Sequence, residues 1–267
     1  MQDRYEVAIN VKHPSSSFPI LDGCTFDGKA HDQCLSRWQN NPSLLAGKGA
    51  YATNGLAAAM VTRSKAASNP NVDLFIFGGP TKFTGYFPGW SQDSVASHQY
   101  FSWYALKAHT RNKAGTVELR SSDPLDTPLI NFNYFETGTT SSNADKSDLA
   151  SMVEAIKTSR KALAAYDRYP LLGGSSFVEE RPGSSVASDQ DLEEYVKNTA
   201  WGHHASCSCP IARDGDAMGV LDSKFRVRGV AGLRVVDASV FPEIPGIFIQ
   251  APIMMVSEKA ADVILNG

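Results

Sequence analysis

The sequence predicts an α/β (α+β) fold, and three observations support this class. Segments rich in apolar, aromatic and β-branched residues, which are typical of strands, occupy the first half of the chain. Later segments repeat apolar residues at nearly helical spacing. With 267 residues, of which 42% are hydrophobic and 20% charged, the chain is long and apolar enough to bury a sizeable core. We therefore expect a folded protein that contains both strands and helices.

Three segments are the predicted strands of the first half. They are YEVAINVKH at 5–13, NVDLFIFGGP at 71–80, whose apolar run ends in a Gly-Gly-Pro turn, and YFSWYALKAH from residue 100 onward. After them, residues 110–135 alternate a Gly turn, a strand, a Pro-containing turn and an extended segment. Between the first two strands, the apolar spacing over 32–49 predicts one or two short helices interrupted by NNP.

Three helices are predicted in the second half. Residues 145–166 have the most regular apolar spacing and are rich in helix-forming residues. Residues 188–200 begin with Ser188 and two acids, which suit a helix N-terminus because serine caps the first turn and acids interact favourably with the helix dipole. The last predicted helix, 251–265, has Pro252 in its first turn, where the missing N–H costs nothing.

Composition argues against several classes of function. The formal net charge is −3 and acidic and basic residues are mixed along the chain, so no basic stripe is available for a nucleic-acid backbone. No apolar run approaches the roughly 20 residues that a membrane-spanning helix needs. The start, MQDRYEVAIN, lacks the basic and apolar regions of a secretion signal. We expect no nucleic-acid or membrane partner, and the compartment stays open between secreted and cytoplasmic.

The four cysteines predict no metal site. Cys24, Cys34, Cys207 and Cys209 have the spacing of neither a zinc ribbon nor a redox C-x-x-C motif. Cys24 and Cys34 flank a short loop rich in glycine and aspartate. This pair could form a disulfide in an oxidising compartment or remain as two free thiols, and the sequence leaves both open.

The most specific pattern lies in the last third of the chain. WGHHASCSCPIA at 201–212 is followed by MGVLDSKFRVRGVAGLRVVDAS at 218–239. Together they resemble the C-terminal signature of glucose-methanol-choline (GMC) oxidoreductases, in which a catalytic His opens a small-residue stretch before V-L-D and R-V-x-G-x-x-x-L-R-V-x-D-A-S. GTVELRSSDPLDTPLINFNYF and MQDRYEV also resemble family segments, so the likeness covers nearly the whole chain. The sequence of residues 201–212 is most similar to that of fungal members, many of which serve secondary metabolism.

This resemblance implies an FAD-dependent flavoprotein that oxidises the CH–OH group of an alcohol, as an oxidase or a dehydrogenase. His203 matches the family's proton acceptor, and an imidazole has a suitable pKa for taking the hydroxyl proton near neutrality. His204, one position later, is the second catalytic candidate. Without the family context, two neighbouring histidines in a loop would more often be structural.

The resemblance also implies cofactor contacts. Asp237 and Ala238, in a predicted short buried strand RVVDAS, match the region that contacts the flavin pyrophosphate or ribityl chain. Phe248 and Ile249 precede the last helix, whose free N–H groups could receive flavin oxygens. Phe248 stands where the family usually has His or Asn, and a phenyl ring forms no such hydrogen bond. A second polar group would then have to come from His204 or Gln250.

The resemblance divides the chain into two predicted domains. Residues 1–195 would form the GMC substrate-binding domain, a mainly antiparallel sheet with flanking helices. Residues 196–267 would supply a strand and a helix of an incomplete FAD-binding domain. The G-x-G-x-x-G pattern that binds the ADP half of FAD is absent from the sequence. We consider a truncated product, one chain of a split enzyme or homo-oligomer, and a stand-alone protein that has abandoned the flavin.

Three functions are therefore open at this stage. The first is the FAD-dependent oxidation of a small alcohol, for which the many aromatic residues between 75 and 104 could form a pocket for an aromatic substrate. The second is a redox-neutral cyclase or lyase derived from the family, with His203 as general acid and base. The third is a non-catalytic remnant whose motif residues persist for folding.

Overall fold

The computed structural model describes most of the chain, namely residues 1–13, 18, 21–27, 29, 31–41, 47–53, 55–135, 143–166 and 177–267. Its strands are β1 (Tyr5–Lys12), β2 (Ala58–Thr62), β3 (Leu74–Gly79), β4 (Tyr100–Lys107), β5 (Thr116–Glu118), β6 (Leu129–Asn131) and β7 (Val178–Arg181). Its α-helices are α1 (Gln33–Asn40), α2 (Trp90–Val95), α3 (Ala144–Tyr166), α4 (Asp189–Thr199) and α5 (Gln250–Asn266). The mixed fold class predicted from the sequence is confirmed.

A five-stranded antiparallel sheet organises the first two thirds of the chain. Its order is β2-β3-β4-β1-β7, and every neighbouring pair is antiparallel. The sequence predicted β1, β3 and β4, which are the apolar central strands. It did not predict the two edge strands, because β2 is half exposed and β7 consists mainly of charged residues. Strands β5 and β6 form a separate hairpin within the predicted 110–135 region.

The two faces of β1 have different surroundings, and this difference positions the site. Tyr5, Val7 and Ile9 pack in the main core with the apolar face of α3, because side chains alternate across a strand. Each fully buried apolar side chain of this size contributes roughly 1.5–3 kcal/mol. On the opposite face, Ala8 packs with Phe83 and Tyr104 in a separate aromatic cluster. Glu6, which is also an even-numbered residue of β1, belongs to this second face.

The three predicted helices of the second half are present. Helix α4 begins with a capping box in which the Ser188 side chain and Asp191 exchange hydrogen bonds with each other's backbone N–H. Helix α5 contains Pro252 in its first turn, as predicted. In the 32–49 region, α1 begins after Asp32 and ends at Asn40, the first residue of NNP, whereas residues 42–46, where a second short helix was expected, lie outside the described residues.

The predicted buried strand RVVDAS is wrong. Arg234 makes a single isolated bridge with Arg226, and Ala238–Val240 form a turn of 3₁₀-helix. The Asp237 carboxylate is exposed and accepts a hydrogen bond from the Ser239 backbone N–H at 2.7 Å. Aspartate side chains that bind the backbone two residues ahead favour turns over strands, which explains the outcome.

The C-terminal segment has a hydrophobic cluster of its own. Its buried members are Leu221, Phe225, Val240, Phe241 and Ala260, and the last of these comes from α5. The predicted boundary between 195 and 196 stays a prediction. In the part of the chain that the structure describes, no helix combines the length and the apolar character needed to cross a bilayer.

Candidate active site

The histidine pair is held by pairing between two segments far apart in sequence. Residues 201–206 run antiparallel to residues 2–6. At one end, Gln2 and Ser206 exchange two backbone hydrogen bonds of 2.9 Å. At the other end, Glu6 and Trp201 exchange bonds of 2.8 and 3.0 Å. The residues between these two pairs, including the histidines, therefore lie beside the start of β1.

Gly202 is required at this place because the two segments approach so closely. A Cβ atom on Gly202 would lie 2.2 Å from Asp3 Oδ2, 2.2 Å from the Tyr134 hydroxyl oxygen and 2.4 Å from the Arg4 carbonyl oxygen. All three distances are far inside van der Waals contact. The glycine thus brings the two following histidines against the buried polar groups of β1.

His203 is the accessible imidazole of the pair. Its side chain is 43% exposed, and Nε2 lies 3.6 Å from Glu6 Oε1. Its ring contacts that of Tyr86, with the centroids 5.5 Å apart. Partial burial lowers the pKa of His203 below its usual value, nearby Arg4 lowers it further, and Asp3 opposes this shift. His203 is therefore neutral at neutral pH and can accept a proton from a bound molecule.

His204 is the buried imidazole of the pair. Its backbone N–H donates to Asp3 Oδ1 at 2.9 Å, and its Nδ1 has no hydrogen-bond partner among the described residues. Burial, followed by the charges of Arg4 and His203, lowers the pKa of His204 to about 3. The ring centroids of the two histidines are 4.5 Å apart. His204 stays neutral across the physiological range and cannot readily take up a proton.

Glu6 is a site residue that the sequence analysis missed. Its side chain is 1% exposed, and Oε1 has no hydrogen-bond partner among the described residues. Burial raises the pKa of Glu6 to about 8, Asp3 adds to the shift and Arg4 opposes it. The carboxyl group is thus mostly protonated at pH 7. The available signal was a run of charged residues, Asp3, Arg4 and Glu6, at the start of an apolar central strand.

Arg4 joins the site to the loop before α5. Its guanidinium donates to the carbonyl oxygens of Pro245 at 2.5 Å, Gly246 at 2.6 Å and Ala108 at 2.7 Å. Its Nη1 has no partner among the described residues although it is buried. Arg4 therefore fixes the loop that leads to Phe248 and presents one free donor in the same region.

Of the four predicted cofactor residues, the structure shows one, Phe248, in contact with the histidine pair. The ring of Phe248 lies 5.7 Å from that of His204 and 5.3 Å from that of Phe75. Ile249 is the N-cap of α5 and offers no side-chain cap. Asp237 and Ala238 belong instead to the C-terminal segment, where the Ala238 carbonyl accepts from the Cys207 backbone N–H at 3.2 Å.

An aromatic cavity of about 270 Å³ opens on the second face of the sheet. Its aromatic lining residues are Phe26, Phe77, Phe83, Tyr86, Trp90 and Tyr104. Tyr86 connects it with the site, because the same ring contacts His203. The predicted aromatic cluster is therefore divided: some members line this cavity, whereas Trp103 packs in the main core. An aromatic wall beside a neutral imidazole suits a small molecule with an apolar body.

Glu6, His203 and His204 also have ligand atoms within 4.8 Å of one another, a spacing that a metal ion could use. Arg4 argues against a metal here, because its positive charge acts on both imidazoles and would repel a cation. We assign no metal to this group. The question left open for Cys24 and Cys34 is answered by a disulfide bond between them, and Cys207 and Cys209 are free.

The comparison with protein families decides the membership of the chain. Residues 111–257, more than half of the chain, match the sequence profile described as GMC oxidoreductase. The chain belongs to the GMC oxidoreductase family. This match includes both histidines and all four predicted cofactor residues, and it confirms the resemblance found in the motifs.

The relatives of this GMC oxidoreductase include bacterial, fungal and mammalian proteins. The oxygen-dependent choline dehydrogenase of Vibrio vulnificus (strain YJ016) is 35% identical over 229 residues, which cover 84% of this chain and 37% of that protein. The patulin synthase of Aspergillus clavatus is 34% identical over 193 residues, which cover 72% of this chain and 28% of that protein. The chain thus spans well under half the length of these curated relatives.

Solved structures show the same fold. The crystal structure of formate oxidase aligns with 98% of this chain and 46% of its own, with a TM-score of 0.72 and 21% identity. Pyridoxine 4-oxidase from Mesorbium loti aligns with 97% of this chain and 42% of its own, with a TM-score of 0.60 and 17% identity. These likenesses show that the chain has the GMC fold.

The described residues fit a flavin at the start of α5. The first turn of this helix has free backbone N–H groups without a side-chain cap, and such groups attract electronegative oxygens. Arg4 Nη1 and His204 Nδ1 are buried polar atoms without partners in the adjoining region. A buried polar atom is costly unless it is hydrogen bonded, so these two atoms are consistent with a bound polar group.

Proposed function

We propose that this GMC oxidoreductase oxidises the CH–OH group of a small alcohol with FAD as cofactor, and that His203 accepts the hydroxyl proton. The observation that carries the proposal is the position of His203. Its neutral imidazole is partly exposed, contacts Tyr86 of the cavity lining and lies with its ring centroid 4.5 Å from that of His204. A base must be within reach of the hydroxyl group and unprotonated at the working pH, and the contact of His203 with Tyr86 of the cavity lining and its lowered pKa support this role.

FAD, when bound, supplies the hydride acceptor for the carbinol carbon. Phe248, Ile249 and the first turn of α5 would hold its ring, and Asp237 and Ala238 would contact its chain. The ADP portion needs polypeptide other than the described site, either another segment or a partner chain. His204 acts through its position: its ring packs between His203 and Phe248, and its low pKa keeps it neutral.

The substrate class follows from the cavity. A volume of about 270 Å³ with mainly aromatic walls favours an alcohol that carries an aromatic ring.

The buried carboxyl of Glu6 supports a second candidate, a cationic alcohol. An aromatic wall and a carboxylate together can stabilise a quaternary ammonium group, and one relative is named a choline dehydrogenase. On this alternative, the bound cation would lower the pKa of Glu6.

The redox-neutral alternative uses the same imidazole and does not need a flavin for electron transfer. It differs from our proposal in its spectral and kinetic behaviour. An oxidoreductase bleaches its flavin when the alcohol is added without oxygen, whereas a cyclase or lyase leaves the spectrum unchanged during turnover. The remnant hypothesis expects neither bound flavin nor turnover.

The test is to purify the full protein with FAD and record its visible spectrum before and after anaerobic addition of benzyl alcohol or choline. We expect a flavin spectrum that one of the two alcohols bleaches. The His203→Ala variant should retain the flavin and bleach at least about a hundredfold more slowly, the lower range for loss of a general base. A protein that binds no FAD, or whose flavin neither alcohol reduces, would contradict the proposal.

A further inference from the structure

We propose that Phe26 is a specificity-determining residue of the aromatic cavity, and that the Cys24–Cys34 disulfide and Asp32 hold it in place. The inference rests on the proposed function, since it concerns which alcohols the cavity accepts. Phe26 lines the cavity, together with Gly55 and Leu56 from the segment before β2. It belongs to a loop rather than to the sheet, so its position depends on local ties.

Asp32 provides the first of these ties. Its side chain is buried and accepts hydrogen bonds from the backbone N–H groups of Thr25 at 3.0 Å, Phe26 at 3.2 Å and Leu35 at 2.9 Å. The Tyr51 hydroxyl also donates to it. Burial alone would raise the pKa of Asp32, but the hydrogen bonds outweigh burial and hold it below its ordinary value. The charged carboxylate thus joins the Phe26 loop to the start of α1.

The disulfide provides the second tie. Cys24 precedes Phe26 by two positions, and Cys34 lies in the first turn of α1. Both cysteines are buried in a small hydrophobic cluster with Leu21, Ala50 and Val95, against which Phe26 packs. Val95, from α2, is also a lining residue of the cavity. Val95 therefore belongs both to the cluster around the disulfide and to the lining of the cavity.

The backbone of Phe26 shows that its position is imposed by these surroundings. Its φ of +54° lies in the left-handed region, which is uncommon for a residue other than glycine. The ring packs against that of Tyr51, with centroids 5.1 Å apart, while the Tyr51 hydroxyl accepts from the Phe26 backbone N–H at 3.0 Å. Among the described residues, the contacts that hold the ring come from Tyr51, from the cluster around the disulfide and from Asp32.

The consequence is a limit on substrate size. With Phe26 fixed, its ring takes up part of the wall of a cavity of about 270 Å³. If Phe26 is shortened, or if its loop is released, a larger ring system should fit better relative to a small one. A change of pocket size of this kind typically alters discrimination by about 10- to 200-fold.

The experiment measures discrimination between benzyl alcohol and 2-naphthylmethanol. In the full protein, the quenching of tryptophan fluorescence reports on ligand binding, because Trp90 lines the cavity. We expect the ratio of the two dissociation constants to shift at least about tenfold toward naphthylmethanol in Phe26→Ala and in the Cys24→Ser/Cys34→Ser double variant. Phe87→Ala is the matched control, since Phe87 is an exposed aromatic residue outside the described lining. Its ratio should stay that of the wild type.

The outcomes separate the two proposals. If the wild type binds neither alcohol, the aromatic-substrate assignment fails, and this inference fails with it. If the wild type binds both but Phe26→Ala leaves the ratio unchanged, only the inference is overturned. An altered ratio in Phe26→Ala without one in the disulfide variant would overturn the role of the disulfide. If the double variant unfolds, Asp32→Asn with the disulfide intact is used to release the same loop. An unchanged ratio in that variant would overturn the claim that the ties of this loop hold Phe26 in place.

Discussion

The backbone N–H of His204 donates a hydrogen bond to Oδ1 of Asp3, at 2.9 Å and across 201 positions of the chain. The same carboxylate accepts from the Arg4 backbone N–H at 2.8 Å and from the Tyr134 hydroxyl at 2.5 Å. Asp3 thus accepts hydrogen bonds from the residue just before β1, from the histidine segment and from the region before α3. Burial raises the pKa of Asp3, while these hydrogen bonds and His203 oppose the shift.

Replacing Asp3 should destabilise the protein and displace the histidine segment. In Asp3→Ala, two buried backbone N–H groups and the partly buried Tyr134 hydroxyl lose their acceptor, and each buried unsatisfied group costs about 1–3 kcal/mol. We expect the free energy of unfolding, measured by urea denaturation, to fall by at least about 2 kcal/mol. Asp123→Ala is a suitable control, because Asp123 is exposed and should change stability by less than about 0.5 kcal/mol. Equal stabilities of the two variants would contradict the role given to Asp3.

Gly202→Ala should be among the most disruptive one-carbon changes in the chain. The added methyl group would meet the Arg4 carbonyl oxygen, which is backbone and cannot move aside without disturbing β1. Overpacking of this kind costs about 1–3 kcal/mol and sometimes more. The measurement is thermal unfolding beside Ser208→Ala, an exposed change in the same segment. A melting temperature for Gly202→Ala within one degree or so of the control would show that the close approach is not maintained in solution.

The two histidines should differ in their kinetic roles. In His203→Asn the proposed proton acceptor is lost, so kcat/KM with the reactive alcohol should fall by about 10²- to 10⁴-fold. His204→Asn keeps a neutral polar side chain at the buried position, and its loss should be much smaller. Because the pKa of His203 is lowered, the wild-type enzyme should remain active below pH 6.5, the ordinary pKa of histidine. A larger defect in His204→Asn than in His203→Asn would reverse the assignment.

Glu6 should make stability depend on pH in a defined direction. Its folded pKa of about 8 lies above its ordinary value of 4.5. Below about pH 4.5 the carboxyl is neutral in both states, but as pH rises toward 8 the unfolded chain releases a proton that the folded chain keeps. Glu6 therefore destabilises the fold progressively over this range. In Glu6→Gln the titration is absent, so the melting temperature of the variant minus that of the wild type should increase from pH 5 to 8.

The comparison between these two proteins cancels the titration of the other groups. His204, whose pKa is lowered to about 3, makes stability increase with pH below about pH 6.5, and it does so in both proteins. Above pH 6.5 this histidine no longer changes the stability of either protein, so the effect of Glu6 is clearest between pH 6.5 and 8. A difference in melting temperature that stays constant over this interval would mean that Glu6 is ionised in the folded state at neutral pH.

Much of the fold could be predicted because its signals are local. The central strands β1, β3 and β4 and the helices α3, α4 and α5 have apolar periodicity, capping residues or turn residues within their own segments. The edge strands β2 and β7 lack such signals, since their residues are exposed or charged and pair only because a neighbouring strand is present. RVVDAS was predicted as a strand from its apolar residues, but the Asp237 side chain stabilises a turn there.

The sequence alone established family membership and singled out His203, because the family motifs lie in short continuous stretches of the chain and follow one another in a fixed order. Its role as proton acceptor and the cofactor roles of Asp237, Ala238, Phe248 and Ile249 stay predictions. Only the tertiary structure placed Glu6 beside His203 and Phe26 beside the cavity. These relationships depend on burial and on hydrogen bonds between segments far apart in the chain, and no local pattern determines which distant segment will cover a given polar group.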